Sequence, residues 1–475
     1  MRWPHVEFQA RRALYVVGRV AVVGTFAWSH PAAAEKIEMA LARAYQGNPQ
    51  LNAQRATVRQ TDESVPQALS GYRPNISATA SAGKQHVDLQ ANIPGLLPGV
   101  SSIAINDTLN TWSAGVNASQ NLYNARIPNQ TRAAESQVFA ARETLRVIEQ
   151  AVLLSAASVY MDVLRDTASV DLSRDNIRVL RQTLKVTEER YNEGAVTTTD
   201  VDQAQAQLAA GEASLHSAES TLMTTRANYR RIIGTEPQGL SPGMAVDRFS
   251  PRTLDAVVAL SVSQNPSVTA AMYDVDVAHL HVKIAEAGLY PTLVLQGSAQ
   301  RQQFESNTTA TRLFNGTLQA KLTVPIYQGG SEYSAIRQSK EGVGQQRLNL
   351  DQVRDQVRAN AVQYWGQLDA AKAQTEAAER QVKYSERALN GVRNEAQAGS
   401  RTTLDILNAL QTLLNARVNL ISAQRDRVVA SYNLLSAVGR LSPTVLGLPV
   451  QIYDPVVHYR QVRDSWFGVR TPDGR

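Results

Sequence analysis

The sequence predicts an α+β membrane protein in which a segment of β-barrel continues into a long helical tunnel. Three observations predict it. The chain is written twice, each copy holds one hairpin of strictly alternating polarity, and each copy holds long helices whose apolar residues step by sevens.

Taking the elements in order, residues 1–34 read as an export signal. Arg2, Arg11 and Arg12 form a basic start, Ala13 to Trp28 an apolar stretch interrupted by Arg19, and Ala32-Ala33-Ala34 a small-residue cleavage site. A membrane anchor is the other reading of this segment, although it is short for a span of about 20 apolar residues. No apolar run long enough for a transmembrane helix follows, so any later contact with a membrane must be made by β-structure. The chain has a net charge of +6 and no cysteine. Disulfides, thiolate metal sites, cysteine nucleophiles and a lipid-modified N-terminal cysteine are thereby excluded. With no run of basic residues and no basic–aromatic stripe, nucleic acid is not an expected partner.

The duplication is read from matched segments. Asn48-Pro49 recurs as Asn265-Pro266, and Gly71-Tyr72-Arg73-Pro74 as Gly288-Leu289-Tyr290-Pro291, at an offset of 217 (265 − 48). Gly194 with Asp200 recurs as Gly399 with Asp405, and Ile233-Gly234 as Val438-Gly439, at 205 (399 − 194). Leu122-Tyr123 already recurs as Ile326-Tyr327 at 204 (327 − 123), so the first copy carries an insertion between Pro74 and Tyr123, and Ile93-Pro94-Gly95-Leu96-Leu97-Pro98-Gly99 reads as its loop. The first repeat spans 35–234, with its hairpin at 75–121. A linker at 235–252 leads to the second repeat at 253–441, with its hairpin at 292–327. Residues 442–475 have little periodicity and read as a poorly ordered tail.

Each repeat opens with short helices that must stop before Pro74 or Pro291, because proline pushes its predecessor out of helical geometry. Alternation follows. Ile76, Ala78, Ala80 and Ala82 interleave with Ser77, Thr79 and Ser81; Leu318, Ala320, Leu322 and Val324 interleave with Gln319, Lys321 and Thr323. Such strands suit a membrane barrel with a wet lumen, and equally a soluble sandwich hairpin. Then, from about Asn129 to Glu193, there is neither Pro nor Gly. About 65 helical residues span about 97 Å. Val138, Leu145, Val152 and Val159 step by sevens, as do Val343, Leu350, Val357 and Tyr364 in the second copy. The return helices hold seams through Ala204, Leu208, Leu215 and Leu222, and through Ala409, Leu413, Ala416 and Leu420. A sustained seven-residue repeat means coiled-coil packing.

Two hairpins supply four strands, which cannot close, and open sheet edges are not viable in lipid. Two copies would give eight strands and a filled interior; three would give twelve and a lumen, so the strand count favours a homotrimer.

The turns between the paired helices, Tyr191-Asn192-Glu193-Gly194-Ala195-Val196-Thr197-Thr198-Thr199-Asp200 and Ala396-Gln397-Ala398-Gly399-Ser400-Arg401-Thr402-Thr403-Leu404-Asp405, resemble the periplasmic turns of the TolC family. Val324-Pro325-Ile326-Tyr327-Gln328-Gly329-Gly330 resembles that family's strand-to-helix junction. The resemblance covers about residues 36–442. It implies a trimer with a 12-stranded barrel in the bacterial outer membrane, continuous with a 12-helix periplasmic tunnel, and would place the tail at 442–475 in the periplasm. It further implies a periplasmic adaptor and an inner-membrane ABC transporter or RND pump as partners. The gate at the tunnel's periplasmic end would then be formed by Arg401, Asp405 and Asn408, with Thr199 and Asp200 across from them. Tyr191, Gly194, Ala195, Val196, Gly399 and Ser400 would form the turns that meet the adaptor. Ala396 stands where the family pattern has tyrosine and Asn408 where it has a second aspartate. Those departures imply fewer closing links and a less negative ring.

The same residues have a local reading. Gly194 and Gly399 fit left-handed helix C-caps. Thr197 with Asp200 and Thr402 with Asp405 fit capping boxes. Arg401 has no such role at a helix start, where the dipole disfavours it, and Asp200 is its expected partner. Trp112, Tyr123, Phe314 and Tyr327 flank the strands and fit an interfacial aromatic belt against outer-membrane lipid. His279 and His281 point to different helix faces and make a poor metal pair, and no catalytic or phosphate-binding motif is present. Neither enzyme activity nor a metal or other cofactor is expected. The expected function is an export duct, serving type I secretion of a protein of the RTX-toxin type or, alternatively, drug efflux. A coiled-coil scaffold without a pore is the alternative of another class.

Overall fold

The computed structural model describes residues 35–97, 100–306, 310–472 and 474; the expected export signal lies outside them. In chain order come α1 (Ile37–Gly47), α2 (Pro49–Asp62), α3 (Ser64–Leu69), β1 (Asn75–Leu97), β2 (Val100–Asn124), α4 (Arg126–Asn192) and α5 (Thr198–Ile233). The second copy follows as α6 (Leu254–Gln264), α7 (Pro266–Glu286), β3 (Thr292–Glu305), β4 (Ala310–Thr323), α8 (Ser331–Gln397) and α9 (Thr403–Ala437). The chain finishes with α10 (Pro443–Leu446) and α11 (Pro455–Val462).

α4 and α8 are each 67 residues, about 100 Å at 1.5 Å per residue. Each doubles back on a return helix, α4 on α5 and α8 on α9. The heptad rows are what they bury: Val138, Leu145, Val152 and Val159 on α4, and Val343, Leu350 and Val357 on α8. Small residues set the spacing between them. A Cβ on Gly211 would stand 3.0 Å from Leu180, so α5 approaches α4 there more closely than a larger residue allows. The main core gathers α1, α2, the middle of α4, α5 and α9 around Tyr45, Tyr160, Tyr229 and Leu435. One stretch of α4 is apolar enough in length and composition to cross a membrane, which the sequence reading missed. It is the part that carries Val152, Leu153, Ala156, Ala157 and Tyr160 into this core.

The repeated Asn-Pro pairs do the same work twice. Asn48 caps α2, its Oδ1 accepting from Gln50 N–H at 2.9 Å, while its Nδ2 donates to the Ile232 carbonyl at 3.1 Å. Asn265 caps α7 at 2.9 Å from Ser267 N–H and donates to the Ala437 carbonyl at 3.0 Å. Each asparagine thus ties the start of one helix to the end of its own copy's return helix. The linker residues are also fixed: Glu35 bridges to Leu240, and the carbonyls of Glu35 and Ser241 share the Tyr160 hydroxyl proton at 2.7 and 2.6 Å.

The strands form one antiparallel sheet in the order β1-β2-β3-β4. β2 reaches Asn124, beyond the expected 121, and β4 ends at Thr323, where Pro325 cannot extend it. The insertion in the first copy is not a loop up to Leu97, as expected, but a lengthening of the hairpin. β1 and β2 pair as far as Asn92 with Ser102, and again at Leu97 with Val100 after a register shift. At 23 residues, β1 is about twice the 9–11 residues that a membrane strand needs.

The tail also departs from expectation. It is ordered by docking, not by its own periodicity. Tyr453 N–H donates to Tyr45 Oη at 3.1 Å, and His458 meets Asp62 at 2.9 Å with both side chains buried.

Candidate gate and channel wall

Register assigns each strand residue to one face of the sheet. Ile76 stands opposite Ala118, Ala118 opposite Gly297 and Gly297 opposite Leu318; the next row is Ala78, Val116, Ala299 and Gly316. The other face reads Ser77, Asn117, Ser298 and Thr317, then Thr79, Gly115, Gln300 and Asn315. Hydroxyl and amide groups there join across strands, Ser81 with Ser113 at 2.8 Å, Ser298 with Thr317 at 2.6 Å and Gln319 with Gln296 at 3.1 Å. One face is therefore apolar and the other polar but almost uncharged. Such a sheet suits a boundary between hydrocarbon and water.

Beyond Gly83 the polarity of the faces exchanges. Lys84, His86 and Asp88 continue the face of Ala78 and Ala82, while Val87 and Leu89 continue the face of Ser77 and Ser81. The apolar face thus ends at Ala82 and its partner Trp112, and on the neighbouring strands at Phe314, which faces Arg301. At the other end, a shift in register between Asn121 and Tyr123 sets Tyr123 opposite Leu293. Tyr327 follows just after β4. All four aromatic residues are exposed on this single chain.

At the far end of the tunnel helices the two turns share one geometry. Gly194 and Gly399 have φ of +73° and +81°, the left-handed conformation that lets a helix end without a Cβ clash. Ala195 N–H donates to the Arg190 carbonyl at 2.8 Å, and Ser400 N–H to the Glu395 carbonyl at 3.0 Å. Each return helix then begins with a capping box. Thr197 N–H and hydroxyl donate to Asp200 at 3.0 and 2.8 Å; Thr402 N–H and hydroxyl donate to Asp405 at 3.0 and 2.9 Å. The backbone hydrogen bond from Thr402, with its hydroxyl second, holds the Asp405 carboxyl below the usual carboxylate range.

Asp200 is consumed by its cap, and Arg401 is not its partner. Arg401 Nε donates instead to Glu395 Oε2 at 2.9 Å, within the same turn. The glycine reversal folds the chain back, so that Glu395 and Arg401 meet across it. Asn408 and Thr199 are exposed, as are Tyr191, Ala195 and Ser400, whereas Val196 is half-buried. Ala396 is buried, and its carbonyl accepts from Arg190 at 3.5 Å, which links the two turns. A second link joins Gln207 to Gln411 at 2.9 Å. Sequence reading passed over Arg190, Glu395, Gln207 and Gln411. For Arg190 and Glu395 the signal was the repeat itself, since they occupy equivalent positions in the two copies (395 − 190 = 205); Gln207 and Gln411 are one residue out of that register and carried no such signal.

Comparison with known proteins agrees with this geometry. The family described as "Outer membrane efflux protein" matches residues 40–235 and 257–440. The chain is 36% identical over 472 residues to the outer membrane efflux protein BepC of Brucella suis, covering 99% of this chain and 100% of BepC. It is 26% identical over 437 residues to the outer membrane protein TolC of Vibrio cholerae, covering 90% and 95% of the two chains. To the alkaline protease secretion protein AprF of Pseudomonas aeruginosa it is 26% identical over 338 residues, covering 69% and 70%. Among solved structures, the Campylobacter jejuni CmeC outer membrane channel superposes with a TM-score of 0.73 at 15% identity, over 90% of this chain and 89% of that one. The chain therefore belongs to the outer membrane efflux protein family and is an outer-membrane export duct of the TolC kind, not an enzyme.

Proposed function

We propose that three copies of this chain close one 12-stranded barrel and one 12-helix tunnel, and that the duct carries an unfolded protein delivered by an inner-membrane ABC transporter through a periplasmic adaptor. The two-faced sheet with open β1 and β4 edges carries the assembly. A sheet apolar toward lipid must pair those edges with further copies, and its polar face then lines a hydrated lumen. Trp112 and Tyr123 are eleven positions apart on β2, about 36 Å at about 3.3 Å per residue. A strand tilt of about 40° reduces this to about 28 Å, close to the apolar height of an outer-membrane barrel. With Phe314 and Tyr327 they form the two aromatic girdles. At the periplasmic end Arg401, Asp405 and Asn408 ring the aperture, with Thr199 and Asp200 on the facing turn. Tyr191, Gly194, Ala195, Val196, Gly399 and Ser400 present the turns to the adaptor.

A wall built mainly of serine, threonine, asparagine and glutamine, with Lys321 its one basic side chain along the paired rows from Asn121 to Ser113 of β2, supports passage of an extended polypeptide, since it offers few apolar or ionic holding sites. The secretion role in the name of AprF supports the same reading. Drug efflux is the second reading, supported by the name of BepC. Deleting the chain from the bacterium that carries it separates them. Loss of a secreted protein from the medium, with unchanged dye accumulation, supports protein export; dye accumulation with an unchanged secretome moves the assignment to efflux. Single-channel recording in planar bilayers tests the duct itself, and a well-folded oligomer without discrete pores would return the chain to a scaffold.

A further inference from the structure

The C-terminal segment climbs the outside of the first repeat toward the barrel. Arg55 lies over the rings of Tyr45 and Tyr453 at 4.5 and 5.2 Å. His458 holds Asp62 at 2.9 Å, and Arg463 reaches Glu135 at 3.4 Å. At the top Arg73 donates to the Ser465 carbonyl, and its guanidinium lies 4.9 Å over the Trp466 ring. Arg73 stands two residues before β1, so Trp466 is brought to the periplasmic rim of the barrel. There the segment leaves Trp466 65%, Phe467 94% and Val469 100% exposed.

Three apolar side chains do not stand in water at the end of a docked segment without a cost in free energy. Their surroundings identify what covers them. Tyr72, Tyr123, Tyr290 and Tyr327 are exposed at the same rim, and the apolar face of the barrel begins directly above. Trp is the side chain that prefers the headgroup level of a bilayer, with its ring toward the acyl chains and its N–H toward water. Arg73 and Arg470 flank it with charge of the sign that phosphate attracts.

We infer that residues 465–470 form an interfacial foot that seats Trp466 and Phe467 in the phospholipid leaflet on the periplasmic side of the outer membrane. The docked stretch from Tyr453 to Arg463 fixes the height of that foot against the first repeat. The inference rests on the outer-membrane placement of the barrel.

Tryptophan fluorescence tests it in proteoliposomes of full-length protein. In one variant the other four tryptophans are replaced by phenylalanine, leaving Trp466; in a second, Trp112 alone is kept. Phospholipid brominated in its acyl chains should quench most of the Trp466 emission, and aqueous iodide should quench little of it. Emission open to iodide and indifferent to bromolipid would overturn the foot in favour of a solvated tail. Shielding from both would overturn it in favour of packing against a neighbouring copy. If Trp112 also escapes bromolipid, the barrel itself is not inserted and the inference falls with it. Because the chain has no cysteine, a nitroxide on Phe467→Cys gives an independent depth. Collisions with oxygen should exceed those with an aqueous nickel chelate, and the reverse order would overturn the foot in a protein with all its tryptophans in place.

Discussion

Arg401 is paired with Glu395 at 2.9 Å across a single turn, while Asp405 is tied at 3.0 and 2.9 Å to Thr402 one residue beyond. The ring that three copies would present at the aperture therefore holds one neutralised arginine, one capping carboxylate and the neutral Asn408 in each copy. Asp405→Ala should lower the cation preference of the pore, and Glu395→Gln should lower it further by leaving Arg401 uncompensated. Asn408→Asp should raise it. Reversal potentials across a salt gradient read all three, and a pore indifferent to every one would place these residues away from its narrowest point.

The Asp405 carboxyl is held below the usual range by the hydrogen bonds from Thr402. A depressed acid contributes stability that is present above its unfolded value and lost as pH falls through its folded value. The cation preference of the wild-type pore should thus survive as pH drops through the ordinary carboxylate range near 4, and be lost only below it. In Asn408→Asp, the added preference should vanish earlier, over the ordinary range. Reversal potentials recorded from neutral to acid pH would show two steps in the variant and one in the wild type; coincident steps would contradict the cap.

The paired asparagines give a symmetric prediction. Asn48→Ala and Asn265→Ala each remove a helix cap and a donor to a carbonyl of the return helix. Each should cost about 1–3 kcal/mol. The Asp variants, which keep the cap and lose the donor, should cost less. Thermal unfolding in detergent measures this, and a large loss in one copy with none in the other would show that the duplication no longer shares its mechanics.

His458 is the catch that holds the C-terminal segment. Asp62 is fully buried; its Oδ2 meets His458, and its Oδ1 lies 3.8 Å from Arg142. His458→Ala leaves a buried acid without its hydrogen bond, a loss of about 3 kcal/mol, and should free α11 from α2. Limited proteolysis would then cut the segment near residue 455 in the variant and not in the wild type. Burial pushes the Asp62 carboxyl up. A raised acid contributes stability that is complete below its unfolded value and lost as pH rises through its folded value. Cleavage of His458→Ala should therefore increase as pH rises above the ordinary carboxylate range near 4, and a flat profile would exclude Asp62 as its cause.

The sequence by itself determined what repeats locally. Heptads such as Val138, Leu145 and Val152 fixed helices and their buried faces, because side chains seven apart return to one side of a helix. Alternation from Ile76 to Ala82 fixed a two-faced strand, and the Gly194 and Gly399 turns with their threonine and aspartate caps followed from backbone sterics alone. The duplication then supplied the strand count and, through the turns, the resemblance to a family of ducts. Only the tertiary structure decided the relations between distant segments. It gave Asn48 its second bond, to Ile232, and His458 its buried partner 396 residues away. It made a strand of the inserted segment and set the level, at Gly83, where the faces exchange polarity. It also turned Arg401 toward Glu395 and away from Asp200. Periodicity specifies which face of an element is apolar, but which elements meet depends on how the long helices pack, and that information is spread over the whole chain.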